Sequence, residues 1–415
     1  MSKKLSLTIT RCRICGSEHI KTFLDLGEQP PANSLRRDPA VKLPVFPLAL
    51  CRCANCALIQ LTVTVNPAHL FKQYVWVTGT SATAREYAGI FFKAAQKHLP
   101  AQKPFVVEIA SNDGTFLKVF RKNGCRVLGI DPAENIGVIA RKQGIPTWTE
   151  FFNERTARKV VAQAGMADFV FARNVIPHVA DVHGVVAGIK RCLAPEGIGA
   201  IEFHYSREIV AGLQYDSIYH EHLFYFSLQS IMFLLKMHGL AAFDIMKSPI
   251  SGGSLVIYFT HNNIKKSMSG ELKQKIGFEK KYGLNTLSLW KAFARGCLAH
   301  RKKLTALLEG ARAQGKSAIG YGASARSSTL LNYCAINAGH LLCIADKNPL
   351  KHNSYTAGTN IRIVSPGEAF ALKPDIVVLL AWNFKDEIIA LLKHKYRFHG
   401  KVIVPLKHAP YTISL

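Results

Sequence analysis

Val106-Val107-Glu108-Ile109-Ala110-Ser111-Asn112-Asp113-Gly114, followed by Thr115-Phe116-Leu117-Lys118-Val119-Phe120, is the stretch whose reading decides the fold. An apolar run ends in small and polar residues and passes into a helical pattern, as a buried parallel strand does when it turns sharply into a helix. Small residues at that junction let a ligand approach the backbone, and the helix N-terminus offers it unpaired N–H groups. The next apolar run, Arg126-Val127-Leu128-Gly129-Ile130, ends in Asp131, about where a doubly wound sheet carries the acid that grips ribose hydroxyls. Together these features indicate a nucleoside. The loop lacks G-x-G-x-x-G and carries Glu108 and Asp113, which disfavour a pyrophosphate but suit the sulfonium and ammonium charges of S-adenosylmethionine. Glu108, Ala110, Asn112, Asp113 and Gly114 are the expected cofactor loop, with Asp131 on the ribose; the competing reading is an ordinary strand-to-helix turn.

Working outward, further strands are expected at Ala167–Ala172, Ile198–Phe203, Ala241–Ile245 and Ser254–Phe259. The last two, joined by a short Ser248–Gly253 turn, read as an antiparallel pair closing a parallel sheet, which is the form of methyltransferase domains more than of dehydrogenases. A helical, basic stretch from about Asn262 to Gly310 leads to a second α/β unit, with strands expected at Ser317–Gly320, Leu341–Ala345 and Asp375–Leu380. Its turn Gly320-Tyr321-Gly322-Ala323-Ser324, with Arg326 in the following helix, is a candidate phosphate cradle or a tight structural turn.

Cys12-Arg13-Ile14-Cys15 and Cys53-Ala54-Asn55-Cys56 are two C-x-x-C knuckles, each followed by a small residue that lets the turn wrap a metal. They match a four-cysteine structural zinc site with no open position; Cys51 is a spare. The chain has 415 residues, 48% hydrophobic and 19% charged, enough for two or three domains with full cores. Its N-terminus has no apolar signal region, no apolar stretch is long enough to span a bilayer, and the ten cysteines fit metal ligands and buried thiols, so the expected location is the cytoplasm. The net charge of +26 admits nucleic acid, a polyanionic small molecule or a merely basic surface. Basic residues are scattered, as in Lys273-Gln274-Lys275 and Arg301-Lys302-Lys303, without the aromatic interleaving of RNA-binding motifs.

Titratable groups are dense in Tyr215-Asp216-Ser217-Ile218-Tyr219-His220-Glu221-His222, between the strands expected at Ile198–Phe203 and Ala241–Ile245. A loop there faces the ligand crevice, and Asn174 and His178, after the strand Ala167–Ala172, reach the same place. A histidine of near-neutral pKa suits proton removal beside a carbonyl, and a tyrosine or second histidine can hold the enolate oxygen. Surface or satisfied core histidines, or a metal at His220 and His222, are the competing readings.

These segments, with Gly27-Glu28-Gln29-Pro30-Pro31-Ala32-Asn33, resemble, in order and over nearly the whole length, the S-adenosylmethionine-dependent sugar C-methyltransferases that build branched deoxysugars. Ala110 departs from the family's usual glycine. The resemblance implies a doubly wound class I methyltransferase core (76–262) between a zinc- and substrate-binding module (1–75) and a C-terminal α/β nucleotide-sugar domain (263–415). It implies methylation at a carbon, commonly C3, α to the 4-keto group of a nucleotide-linked 6-deoxysugar. His222 takes the place of the general base, with Tyr219, Glu221, His178 and Tyr74 lining the sugar site, Asn174 beside the cofactor, and Gly320, Tyr321, Gly322, Ser324 and Arg326 toward the nucleotide. His220 is the competitor of His222, and a zinc-containing nucleic-acid methyltransferase is the rival function.

Overall fold

The computed structural model of the protein describes residues 5–66, 77–100, 102–406 and 408–415. The N-terminal module is built from β1 (Ser6–Thr8), β2 (Ile20–Gln29), β3 (Phe46–Cys53), β4 (Ile59–Leu61) and β5 (Val63–Val65). Strands β1 and β5 pair antiparallel, and β2, β3 and β4 form an antiparallel meander.

The core contains β6 (Phe105–Ile109), β7 (Arg126–Ile130), β8 (Thr147–Trp148), β9 (Ala167–Arg173) and β10 (Leu193–His204), followed by β11 (Phe224–Tyr225), β12 (Leu240–Ser248) and β13 (Ser254–His261). The sheet runs β12-β13-β10-β9-β6-β7-β8, with β13 antiparallel to both its neighbours and the rest parallel. Both faces are covered, as a parallel sheet requires. Alternation along β9 shows how: Phe169 and Phe171 join the aromatic cluster of Phe91, Phe116 and Phe120 on one face, while Val170 and Ala172 pack on the other with Val160 and Val186. Strand β11 leaves this sheet and pairs with β4, so the module's sheet reads β11-β4-β3-β2 and includes a strand from the segment carrying His222.

Two helices, Gly270–Tyr282 and Leu287–Ala313, occupy the stretch expected to be helical, broken at Gly283, whose left-handed φ of 72° caps the first. The second α/β unit follows: β14 (Ala318–Tyr321), β15 (Ile344–Ala345), β16 (Ser354–Tyr355), β17 (Arg362–Val364), β18 (Ile376–Leu379), β19 (Lys401–Val404) and β20 (Tyr411–Ser414), ordered β16-β17-β15-β14-β18-β19-β20. The strand expected over Leu341–Ala345 shortens to Ile344–Ala345, because Leu341 is held in a turn by Asn337 and the Leu342 side chain faces solvent. No described helix is long and apolar enough to cross a membrane.

Candidate active site

Glu108, the last residue but one of β6, has its carboxylate buried and Oε2 without a hydrogen-bond partner among the described residues. Burial raises its pKa well above the carboxylate range; Arg173 opposes this, and Asp113, Asp131 and Glu202 add to it. The Arg173 guanidinium lies 3.1 Å from the Phe116 ring centroid, with Nε 2.8 Å from Glu202 Oε2. Glu108 thus sits among three further buried acids, Asp113, Asp131 and Glu202, with Arg173 as the opposing cation, a setting that a cationic ligand relieves. The loop beyond Glu108 is shaped by left-handed residues, Ala110 (φ 52°), Asn112 (φ 51°) and Gly114 (φ 75°). Asp131 fixes it, accepting from Asn112 N at 2.8 Å and Ala133 N at 2.9 Å. From outside, Gly79 N donates to Asp113 Oδ2 at 2.9 Å, and a Cβ on Gly79 would lie 2.5 Å from that oxygen. Asn174 (φ 51°), directly after β9, lies at the same sheet edge and donates its N–H to Glu202 O at 2.9 Å. The donor set and the buried acids fit S-adenosylmethionine.

The positive φ explains what glycine would bring at position 110. A Cβ there is strained, so Ala110→Gly is expected to stabilise the protein by about 0.5–1 kcal/mol after the added unfolded-state entropy is counted. Urea unfolding checks this: a midpoint that stays or falls at unchanged m means that the Cβ contacts outweigh the strain.

On the segment after β10, His222 meets His178 with ring centroids 4.7 Å apart. His222 Nδ1 lies 2.9 Å from Ser217 O, which can only accept, so Nδ1 carries the proton and Nε2 keeps its lone pair. The Tyr219 hydroxyl, 2.8 Å away, donates to that lone pair. Burial, helped by His178, holds the His222 pKa well below the usual value, and burial takes His178 down to about 4. In place of the near-neutral pKa expected from sequence, His222 has a depressed one that favours the neutral imidazole. His220 turns the other way, with Nε2 3.3 Å from Phe46 O and its ring edge-on to Phe46, so it shares no site with His222. Glu221 accepts from Asn33 Nδ2 at 2.6 Å, and burial pushes its pKa up to about 7. Tyr74 lies outside the described residues.

The turn after β14 departs from the expected phosphate cradle. Gly320 and Tyr321 are buried strand residues; a Cβ on Gly320 would meet Leu380 at 2.7 Å, and one on Gly322 would meet Ala381 Cβ at 2.4 Å, so the glycines serve close packing. The loop's donors are already engaged: Ala323 N with Asp346 Oδ2 at 2.7 Å, Ser324 N with Ser327 Oγ at 2.9 Å, and Ser327 N with the capping Ser324 Oγ at 3.2 Å. Arg326 leaves the turn altogether. Its Nη2 donates to Gln214 Oε1 at 2.8 Å, its Nε is 3.5 Å from buried Asp216 Oδ2, and its guanidinium lies 5.1 Å from the Trp382 ring centroid. Beside the turn lies a cavity of about 290 Å³ whose lining includes Asn33, Arg36, Arg37, Ser324, Ser328 and Lys351. Arg36, Arg37 and Lys351 were not singled out from sequence; the Arg36-Arg37 pair just beyond Gly27–Asn33 was the available signal.

The four cysteines converge, with all four Sγ atoms within 4.8 Å of one another and Cys12–Cys56 and Cys15–Cys53 each at 3.5 Å. A tetrahedral zinc with Zn–S near 2.3 Å needs sulfurs about 3.8 Å apart, so the donor set fits the ion. Gly16 (φ 69°) and Ala57 (φ 60°) turn the chain left-handed after each knuckle, and the contact with Cys56 favours the Cys12 thiolate. Among the described residues this is the one group of three or more His, Cys, Asp or Glu side chains able to share an ion, so a metal at His220 and His222 finds no support.

Three family models match the chain: "Putative zinc binding domain" over residues 12–71, "Methyltransferase domain" over 83–244 and "C-methyltransferase C-terminal domain" over 249–407. The C-methyltransferase NovU of Streptomyces niveus is 31% identical over 409 residues, covering 98% of this chain and 97% of that protein. Among solved structures, magnesium protoporphyrin IX methyltransferase of Synechocystis PCC 6803 is 13% identical, covering 43% of this chain and 77% of its own at a TM-score of 0.32. A possible histamine N-methyltransferase of Thermotoga maritima is 20% identical, covering 42% and 90% at a TM-score of 0.33.

Proposed function

Given that this chain belongs to the C-methyltransferase family, we propose that it methylates the carbon, C3, α to the 4-keto group of a nucleotide-linked 4-keto-6-deoxysugar, with S-adenosylmethionine as donor. The observation that carries this reading is the 2.6 Å bond from Asn33 to Glu221. Asn33 lines the basic cavity and Glu221 adjoins His222, so one contact joins a place suited to a diphosphate with a place suited to proton removal. When bound, the cofactor supplies an electrophilic methyl group. His222 Nε2 takes the proton next to the carbonyl, and the Tyr219 hydroxyl holds that lone pair in line until the sugar arrives. Asp131 takes the ribose and Glu108 the cationic amino-acid end. Residues 1–75 and 263–415 hold the nucleotide sugar against the core of 76–262, and Arg36, Arg37 and Lys351 neutralise its phosphates. The reaction is assigned to the cytoplasm, where ten unpaired cysteines persist.

Mass spectrometry after incubation with a panel of 4-keto-6-deoxy nucleotide sugars tests the substrate class; no methylated sugar from any member overturns it. The double change Arg37→Ala with Lys351→Ala is expected to raise KM for the nucleotide sugar about tenfold or more while kcat holds, as lost uniform binding does. An unchanged KM removes the cavity from the substrate site.

A further inference from the structure

A buried donor without an acceptor costs about 1–3 kcal/mol, and a chain that keeps one has a use for it. Arg326 Nη1 is such a donor: the guanidinium spends Nη2 on Gln214 and Nε on Asp216, while Nη1 is buried and has no hydrogen-bond partner among the described residues. His204, at the end of β10, is buried; Gln214 interacts with its ring, and Nε2 has no hydrogen-bond partner among the described residues. Both belong to the surroundings of the base. The helix carrying Arg326 (Ala325–Tyr333) is tied to the His222 segment by Thr329 Oγ1 donating to Ile218 O at 2.7 Å, next to Ser217, whose carbonyl holds His222 Nδ1 at 2.9 Å. The Arg326 charge acts on the His204 and His222 rings alike, disfavouring protonation of each.

A cation beside a base weakens it, so this placement is productive only where negative charge develops during the reaction. The guanidinium is also rigidly set: Asp216 accepts from Trp382 Nε1 at 2.7 Å while pairing with Arg326, and the indole lies over the guanidinium. Such preorganised, water-excluded donors are what an oxyanion needs.

We propose that Arg326 Nη1, together with His204 Nε2 in its N–H tautomer, binds the carbonyl oxygen of the substrate and holds it as the enolate forms. The inference rests on the functional reading above. In the step it serves, His222 Nε2 accepts the proton from the carbon next to the carbonyl, the C–H electron pair becomes the C=C bond, and the C=O pair moves onto the oxygen facing Arg326. The carbonyl then re-forms as the carbon's pair makes the new bond to methyl, the electron pair of the broken S–C bond remaining on sulfur. Arg326, assigned to phosphate from the sequence, is thereby a catalytic residue at the sugar.

Hydrogen exchange at the sugar carbon in deuterated water, with S-adenosylhomocysteine bound, tests this separately from methyl transfer. With a 4-keto-6-deoxy nucleotide sugar that the wild-type protein exchanges, Arg326→Met is expected to slow exchange on the order of a hundredfold while calorimetric affinity for that sugar changes less than about threefold. Free guanidinium should restore part of the rate. If Arg326→Met does not fold, Arg326→Lys, which keeps the charge against Asp216 but loses the fork, decides with an expected slowing of about tenfold or more. Wild-type exchange rates in the folded variant, or a loss of exchange matched by the loss of affinity, overturn the proposal alone. A wild-type protein that exchanges no proton with any such sugar overturns the functional reading, and the proposal with it.

Discussion

Replacing His222 by alanine is expected to slow hydrogen exchange at the substrate carbon on the order of a thousandfold, the middle of the range for a lost general base, and to lower turnover in parallel. The reason lies in the bond pattern: Ser217 O fixes the proton on Nδ1, which leaves a lone pair on Nε2, with Tyr219 marking its direction. Glu221 is the serious rival, because burial brings its pKa to about 7, where a base works well. The pH dependence separates the two. The His222 pKa is depressed, so its neutral, basic form is already complete at neutral pH, and exchange should run level from pH 8 down through the region near 7. Were Glu221 the base, its protonation below about 7 would cut the rate tenfold per unit, and Glu221→Gln would abolish exchange. Level exchange in the wild type with exchange retained in Glu221→Gln supports His222; the reverse pattern transfers the role to Glu221. His220→Ala should exchange normally, since that ring packs on Phe46.

Removing zinc, or changing Cys12 to serine, should lower the stability of the N-terminal module by more than about 5 kcal/mol, because the free energy of binding a structural zinc is folding free energy for the segment that holds it. Strands β2, β3 and β4 form a small sheet whose knuckles close on one another through the four sulfurs. Metal analysis should find one zinc per chain. Urea unfolding followed in the Cys12→Ser variant should show the module melting ahead of the core. Affinity for S-adenosylmethionine should survive, since the Glu108–Asp131 loop sits in a different sheet, while turnover disappears. Zinc-free protein as purified, or a variant with an unaltered urea midpoint, would remove the structural role.

What could be read from the sequence was whatever depends on short spacing. The two knuckles, the strand ending in Glu108, and Asp131 at the end of β7 each declare themselves within a few residues, because thiolate geometry and strand periodicity are local. The meeting of His178, Tyr219 and His222 was legible at one remove, since all follow strands on the same edge of a doubly wound sheet. Side-chain direction was not. Arg326 looked like part of its own turn, yet it reaches Gln214, 112 residues earlier. Asn33 and Glu221 are 188 residues apart. The glycines at 320 and 322 answer to Leu380 and Ala381 on the neighbouring strand side, a packing demand that looks, in one dimension, the same as a phosphate turn. Burial, too, was invisible, and it is burial that separates a titrating histidine from the neutral one at 222.

Strand β11 has a bearing on how this protein can be taken apart and recombined. Phe224 and Tyr225 sit opposite Gln60 and Ile59, two residues downstream of His222, so the backbone leading from His222 is stitched into a sheet made by the first fifth of the chain. Leu61 N adds a further bond to Leu223 O at 3.1 Å. A hybrid that exchanges the leading module at a linear boundary therefore inherits a mismatched partner for these residues, however well each piece folds. Matched transplantation has to carry the donor's equivalents of 223–225 along with the module, and a library of such hybrids would be partitioned by that tripeptide rather than by the apparent seam in the sequence.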